Sequence, residues 1–289
     1  MLTRLFCEID DFCQQRLPEW NSTLLTARVG QRRRRSGLSE SELMTILVHF
    51  HQVGYRTFKW FYQRHVQVHL QREFPQLPSY QRFIELMPRV LLPLALFMKQ
   101  RCRTGRGIAF IDSTALKVCE NLRIPRHRTF KAEAGRGKSS TGWFYGFKLH
   151  VVMDDRGEIL SFMITSGNTD DRKPVPTLLQ SVVGKVFGDR GYISTTLATT
   201  LAQQGVEWIT SLKHNMKAVT RDAFDTLILR KRSLIETLND QLKNIAQIEH
   251  TRHRSLTNYL INVVAGLVAY SYQPKKPSLK LTTSALVIM

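Results

Sequence analysis

Short apolar segments alternate with amphipathic ones from residue 105 to residue 275, and this alternation constrains the fold more than any other feature. Five runs are typical of strands: GIAFID, GWFYGFKLHVVMD, GEILSFMIT, KVFGD and VEWITSL. Four segments have helical spacing: VPTLLQSVV, STTLATTLAQQG, residues 227–244 and LTNYLINVVAGLVAY. Three successive strands, followed by alternating helices and strands, predict an α/β domain with a partly parallel sheet over residues 105–275.

The first 104 residues have a different pattern, which predicts an all-helical domain. Ser39 and Glu42 have the spacing of a capping box, and apolar residues follow at helical intervals. Aromatic residues alternate with basic ones between residues 54 and 70. The arginine run at residues 32–35 predicts a basic loop that contacts phosphates. Residues 276–289 are expected to form a short, frayed tail.

The charge balance points to a polyanionic partner. Lys and Arg number 42 against 23 Asp and Glu, a formal net charge of +19. Nucleic acid is the first candidate and an anionic membrane surface the second. No apolar run approaches the roughly 20 residues of a membrane-spanning helix, and the first residues turn acidic too early for a secretory signal, so the protein is expected in the cytoplasm.

Four cysteines without a Cys-x-x-Cys pair disfavour a zinc ribbon or a disulfide framework.

Three carboxylates carry the most specific chemical signal. Asp112 and Asp189 each end an apolar strand, and Glu236 lies on the polar side of the helix predicted over residues 227–244. Two of them have an ordinary alternative: Asp189 as a helix cap before Ser194, and Glu236 on a solvated face with i,i+4 ion pairs. If the three converge, they form a set of hard oxygen ligands that suits Mg²⁺ or Mn²⁺ and phosphodiester chemistry.

Several motifs in a fixed order resemble bacterial insertion-sequence DDE transposases. They are FIDST, GWFYGFKLH, TSGNTDDRKPVP, VFGDRGY and RKRSLIETLNDQLK. The chain most resembles the insertion sequence 982 family, because CEIDDFCQQ and FHQVGYRTFKWFY near the N-terminus fit that family too. The resemblance therefore extends over nearly the whole chain.

The resemblance implies an α/β protein with a ribonuclease-H-like catalytic domain behind an all-helical DNA-binding domain. It makes Asp112, Asp189 and Glu236 the catalytic residues and the ligands of Mg²⁺ or Mn²⁺, with two ions expected. The implied activity is cutting DNA at insertion-sequence ends and joining the 3′ ends to target DNA. A homodimer on transposon-end and target DNA is implied as well, in the nucleoid of a bacterial cytoplasm.

The wider group has a Tyr-x₂-Arg-x₃-Glu-x₆-Lys signature around its glutamate. Arg232, Glu236 and Lys243 match this signature, whereas Leu229 stands at the tyrosine position. The match implies that Arg232 and Lys243 contact DNA phosphates. Asp240 lies one helical turn beyond Glu236 and is the rival for the third acid.

A basic segment between the first two strands of the α/β domain is predicted to lie along DNA as a loop. Its candidate DNA-binding residues are Arg126, Arg128, Lys131, Arg136 and Lys138. Asp170 and Asp171 are expected to cap the helix near Pro174, with a contribution to the metal site as the alternative. Two other functions stay open: a ribonuclease-H-like nuclease without strand transfer, and a non-catalytic DNA-binding repressor.

Overall fold

A computed structural model of the protein describes residues 1–26, 37–105, 107–139, 142–212, 216 and 221–280, with side chains described except at residues 20–26. The chain divides into two units. The first, called here the helical unit, comprises Met1–Arg101 and Leu242–Tyr272. The second, the sheet unit, comprises Cys102–Gln241 and the chain from Gln273. The arginine run at residues 32–35 lies outside the described residues.

The helical unit is built from seven helices in the part of the chain that is described. These are α1 (Leu2–Thr26), α2 (Glu40–Phe50), α3 (Phe58–Phe61), α4 (Gln67–His69), α5 (Tyr80–Leu86), α6 (Leu91–Arg101) and α11 (Leu256–Ser271). A π-helical turn, Tyr62–Val66, joins α3 to α4, and a 3₁₀ turn, Met87–Val90, joins α5 to α6. The predicted capping box is confirmed: Glu42 N donates to Ser39 Oγ at 3.2 Å, and Ser39 N donates to Glu42 Oε2 at 2.8 Å.

Helix α11 packs against α2 and α6 in the helical unit, although the sequence placed it in the α/β domain. Almost every residue from Asn258 to Tyr270 is buried. A helix that is apolar on all sides is buried wherever it lies, so its pattern does not identify its partner. The division of the chain therefore differs from the predicted boundary at residue 275.

Among the described residues of the sheet unit, six strands form one mixed sheet. They are β1 (Ile108–Cys119), β2 (Gly135–Ser139), β3 (Gly142–Asp154), β4 (Ile159–Ser166), β5 (Gly184–Gly188) and β6 (Val206–Thr210). β3 pairs antiparallel with β1 along one edge, and with β2 and then β4 along the other. β1, β5 and β6 are parallel neighbours. Asp154 Oδ1 accepts from Arg156 N and Glu158 N in the turn between β3 and β4, which confirms the predicted tight turn.

Helices cover the two faces of this sheet. α7 (Val175–Leu178) and α8 (Thr195–Ala202) supply buried leucines and valines to a core against Ile111, Val152 and Val186. Consecutive residues of a strand face opposite sides, so Asp112 faces away from this core. α10 (Ser233–Asp240) contacts β1, and α9 (Ala223–Arg230) precedes it.

The chain after α11 returns to the sheet unit. Leu279 N donates to Asp155 O at 2.8 Å, and Lys276 Nζ lies 2.9 Å from Glu158 Oε2. The predicted frayed tail is therefore wrong for residues 276–280, because these contacts hold the segment against the β3–β4 turn. Within the described residues, no helix is both long enough and apolar enough to cross a membrane.

We predict that Gly146→Ala destabilises the protein. Gly146 lies where β3 changes partner from β2 to β4, and a Cβ there would be 2.1 Å from the backbone oxygen of Leu116. Because backbone must move to admit the methyl group, the free energy of unfolding should fall by about 1–3 kcal/mol. Gly191→Ala is the matched control, since a Cβ at Gly191 meets no atom within 4 Å. Thermal unfolding measures both, and equal Tm values for the two variants would contradict the prediction.

Candidate active site

Two aspartates from neighbouring parallel strands lie on the same face of the sheet. The pairing of β1 with β5 sets Phe110 beside Phe187, and Asp112 and Asp189 each follow two residues later. Residues two apart in a strand face the same side, so the two carboxylates emerge together at the point where this pairing stops. Asp189 directly follows β5, and its Oδ1 accepts from Arg190 N at 2.6 Å.

Asp112 does not end its strand, contrary to the sequence prediction. β1 continues to Cys119, because its other edge stays paired with β3 over the whole length. Only the β5 side of β1 becomes free at Asp112. Asp189 caps the 3₁₀ turn Arg190–Tyr192, whereas Ser194 caps α8 through its own hydroxyl.

Arg232 links the second aspartate to the glutamate of α10. Its Nη2 lies 2.8 Å from Glu236 Oε1 and 3.9 Å from Asp189 Oδ1. The arginine side chain is 16% exposed, against 42% for Asp189 and 57% for Glu236. One half-buried guanidinium thus lies between two more exposed carboxylates and supplies the positive charge between them.

Asp112 is partly buried where Asn239 of α10 contacts it. Burial raises the pKa of its carboxyl to about 6, and the charges of Asp189 and Glu236 raise it as well. Arg232 and the N–H of Ser113 act in the opposite direction on the same pKa. Because Asp112 responds to the other two acids, the three carboxylates share one electrostatic site.

Asn239 is a site residue that the sequence prediction missed. Its Nδ2 donates to Asp112 Oδ2 at 3.1 Å, and its Oδ1 is buried with no hydrogen-bond partner among the described residues. Asn239 follows Glu236 by three residues, so the helical period places both on one face of α10. This spacing could have identified Asn239 from the sequence, because the oxygen of an amide next to a predicted metal ligand can itself bind a metal.

The donor set fits a hard divalent cation. Three carboxylates and an unpartnered amide oxygen are the ligands that Mg²⁺ and Mn²⁺ prefer. An adjacent cation would stabilise the partly buried carboxyl of Asp112, whose pKa is raised, and the buried amide oxygen of Asn239, which accepts no hydrogen bond from the described residues. As the described residues are arranged here, no group of three His, Cys, Asp or Glu side chains is close enough to hold a metal, and the guanidinium of Arg232 is the positive charge at the site.

The single helix predicted over residues 227–244 is divided in the structure. α9 ends at Arg230, α10 runs from Ser233 to Asp240, and a π-helical turn follows at Gln241–Ile245. Lys243 therefore does not continue the face of α10 at 100° per residue. It belongs to the helical unit, where its Nζ lies 3.5 Å from Glu249 Oε2.

The predicted basic loop is irregular only in its middle, residues 127–134, where Arg128 and Lys131 lie. Asn121–Arg126 is a 3₁₀ helix, and Arg136 and Lys138 lie on β2, paired with the beginning of β3. All five DNA-binding residues predicted in this segment are exposed: Arg126, Arg128, Lys131, Arg136 and Lys138. Trp143 on β3 is 52% exposed, with the Arg136 guanidinium 5.3 Å and the Lys138 ammonium 5.8 Å from its ring centre. We call β2, Trp143 and these two cations the basic hairpin.

Asp170 and Asp171 do not cap α7, whose first turn receives no side-chain hydrogen bond. Asp170 pairs with Arg172 at 2.6 Å within its own turn. Asp171 Oδ1 lies 2.9 Å from Lys148 Nζ and 3.9 Å from the Nδ1 of His150. His150 pairs with Ser113, so this cluster lies on the sheet face opposite to that of Asp112.

A known protein family matches the chain. A family model described as "Transposase DDE domain" matches residues 102–256, which is more than half of the chain. No curated protein matches the chain. A solved structure described as the cryo-EM structure of the piggyBac transposase synaptic complex with hairpin DNA is similar at a TM-score of 0.43 and 12% identity, over 99% of this chain and 82% of that chain.

We predict that Asp112→Asn stabilises the protein at neutral pH when divalent cations are absent. The pKa of Asp112 is about 6 in the folded protein, against a usual value of 3.8, so the folded state holds an extra proton between these values. The free energy of unfolding therefore falls as pH rises from about 4 to about 6 and stays lower above. The variant should have a Tm several degrees above that of the natural protein at pH 7.5, and the difference should shrink below pH 5.

The control for this measurement is Asp240→Asn, which replaces an exposed carboxylate on α10. Its Tm at pH 7.5 should stay close to that of the natural protein, because the replaced carboxylate is exposed. A Tm of Asp112→Asn at or below the natural value at pH 7.5 would show that Asp112 does not carry a buried charge.

Proposed function

The chain belongs to the transposase DDE-domain family, and on that premise we propose that it cuts DNA at insertion-sequence ends and joins the 3′ ends to target DNA. The observation that carries this proposal is that Asp112, Asp189 and Glu236 lie at one electrostatic site. Two strands and one helix bring the three acids around a single guanidinium, within the segment that matches the family.

In the proposed activity, Asp112, Asp189 and Glu236 hold Mg²⁺ or Mn²⁺, in two ions as the family resemblance implies. Metal bound there supplies the Lewis acidity that a phosphodiester displacement requires. The chain itself contributes three things. Above about pH 6 Asp112 is deprotonated and able to act as a ligand. Asn239 orients its carboxylate by a hydrogen bond at 3.1 Å. Arg232 offers a cation beside the carboxylates that can contact a DNA phosphate.

The topology of the sheet unit supports a ribonuclease-H-like catalytic domain. Without the β2 addition the strand order is β4-β3-β1-β5-β6, antiparallel on one side of β1 and parallel on the other. The catalytic domain is accordingly the sheet unit, and the helical unit is the DNA-recognition domain. Lys243 lies in that helical unit and would contact DNA from there. We assign the chain to the insertion sequence 982 family and its working form to a homodimer on DNA, from the sequence resemblance.

The decisive experiment incubates the protein with Mg²⁺ and DNA that carries the terminal repeats of its own element, and separates cut from joined products. Joined products support a transposase, whereas cut products alone would indicate a nuclease without strand transfer. Binding of repeat DNA without cleavage in Mg²⁺ or Mn²⁺ would indicate a repressor.

We expect Asp112→Asn, Asp189→Asn and Glu236→Gln each to reduce cleavage by at least about a hundredfold. Binding to repeat DNA should stay about as tight, because each change removes a metal ligand and not a phosphate contact. Asp240→Asn is the matched control and should keep most of the activity. Loss of activity in Asp240→Asn with activity retained in Glu236→Gln would move the third acid by one helical turn.

The basic surface predicts a steep dependence of DNA binding on salt. About six phosphate contacts would weaken binding roughly a thousandfold between 50 and 200 mM salt. Replacing Arg136 and Lys138 together by Gln should lower the slope of log K against log salt by about 2. The matched control replaces Arg156 and Lys173 together by Gln. Both residues are exposed in the sheet unit and are not among the predicted DNA-binding residues, so the slope should stay unchanged. Equal slopes for both pairs would exclude the basic hairpin as a DNA contact.

A further inference from the structure

The helical unit contains a cleft that the proposed chemistry does not use. It has a volume of about 680 Å³, within the range of small-ligand sites. Its walls come from the segment that leads into α3, from the beginning of α5 and from the segment before α11. The lining residues that matter here are Arg56, Lys59, Trp60, Tyr80, Glu249 and Arg252.

Two aromatic rings of the cleft differ in how firmly they are held. Tyr80 is half-buried, with its ring centre 6.1 Å from that of Tyr62 and 6.5 Å from that of Phe58. Trp60 is 57% exposed, although a ring of this size is normally largely covered. The guanidinium of Arg64 lies 5.2 Å from the Trp60 ring centre, and Arg64 is not among the residues that line the cleft. One face of Trp60 therefore carries a cation while the ring also borders the cleft.

The charge of the cleft is positive. Arg56, Lys59 and Arg252 line it and form no ion pair within the described part of the chain. Glu249 is the acid of the cleft, and Lys243 lies 3.5 Å from it. Lys59 Nζ lies 5.9 Å from the Tyr80 ring centre, so cation and ring are next to each other. Unpaired cations around an aromatic wall are the chemistry that binds single-stranded nucleic acid, through phosphates and stacked bases.

The backbone departs from regular helix on two sides of the cleft. The π-helical turn Tyr62–Val66 begins two residues after Trp60 and contains Gln63, another lining residue. A second π-helical turn, Gln241–Ile245, precedes the wall formed by residues 249–253. π-helical turns cost stability and occur often at functional sites, so their position at two of the cleft walls is independent support for a ligand here.

We propose that this cleft holds one unpaired nucleotide of the DNA on which the protein acts, with the base against Trp60 and its phosphates on Arg56, Lys59 and Arg252. The choice of DNA rests on the proposed function. In a duplex the faces of the bases are covered by their neighbours, so a ring in a cleft can reach one only when the base leaves the stack. The cleft thus reads an extruded or terminal base, whereas the open basic hairpin suits the phosphates of paired DNA.

The test uses terminal-repeat DNA with 2-aminopurine either unpaired at its end or paired within the duplex, and follows its fluorescence with saturating protein. All proteins carry Asp112→Asn, so that binding is measured without cleavage. We expect quenching of the unpaired probe, loss of that quenching in Trp60→Ala and its retention in Trp60→Phe. Trp60→Ala should also weaken binding of the unpaired DNA about tenfold, without weakening that of the paired DNA.

Trp143→Ala is the matched control, because Trp143 is about equally exposed in the sheet unit and is flanked by cations too. Loss of quenching in Trp143→Ala and not in Trp60→Ala would place the base on the basic hairpin and overturn the proposal. Unchanged quenching in both variants, or equal quenching of the paired probe, would overturn it as well.

A second arm distinguishes a DNA strand from a free nucleotide. Arg56→Gln and Arg252→Gln should each weaken binding of the unpaired DNA, while dAMP should displace it only at concentrations far above that of the DNA. Displacement by dAMP at the DNA concentration would assign the cleft to a free nucleotide and overturn the DNA assignment. The proposed function is tested separately, by cleavage with the protein that retains Asp112. A lack of cleavage there would contradict the proposed function without changing the result of the quenching experiment.

Discussion

The parallel pairing of β1 with β5 is the contact on which the candidate active site depends. It fixes Phe110 beside Phe187, and therefore brings Asp112 and Asp189 out on one face two residues later. The pairing can stop there without breaking β1, because β3 holds its other edge. A register shift of one residue would turn one of the two carboxylates to the opposite face, where Ser113 and His150 lie.

The electrostatics of the site follow from that geometry. Asp112 is covered by α10 and loses hydration, while Asp189 and Glu236 stay more exposed and add negative charge nearby. A single guanidinium, that of Arg232, compensates part of this charge. An acidic site in a chain of net charge +19 attracts a phosphate only when cations accompany the carboxylates, which is the physical reason for linking this site to divalent metal.

Two aromatic and basic surfaces would then divide the contacts with DNA. On the basic hairpin, Arg136 and Lys138 lie beside the ring of Trp143 on an open strand surface, an arrangement that suits a continuous phosphate backbone. In the cleft of the helical unit, Trp60 borders a concave space with cations around it, which suits one base with its phosphates. The difference between the two surfaces is curvature, because both contain the same residue types.

The sequence by itself determined the features that depend on neighbouring residues. The capping box at Ser39, the tight turn at Asp154 and the strands of the sheet other than β2 follow from local spacing, and the motifs around Asp112, Asp189 and Glu236 were enough to indicate the DDE transposase family. Only the tertiary structure decided that β1 continues past Asp112, that Asn239 binds Asp112, that residues 223–245 divide into two helices and a π turn, and that α11 packs in the helical unit. Backbone periodicity is local, so it is visible in a few consecutive residues. Hydrophobic burial has no direction, so an apolar stripe shows that a surface will be covered but not which distant part of the chain will cover it.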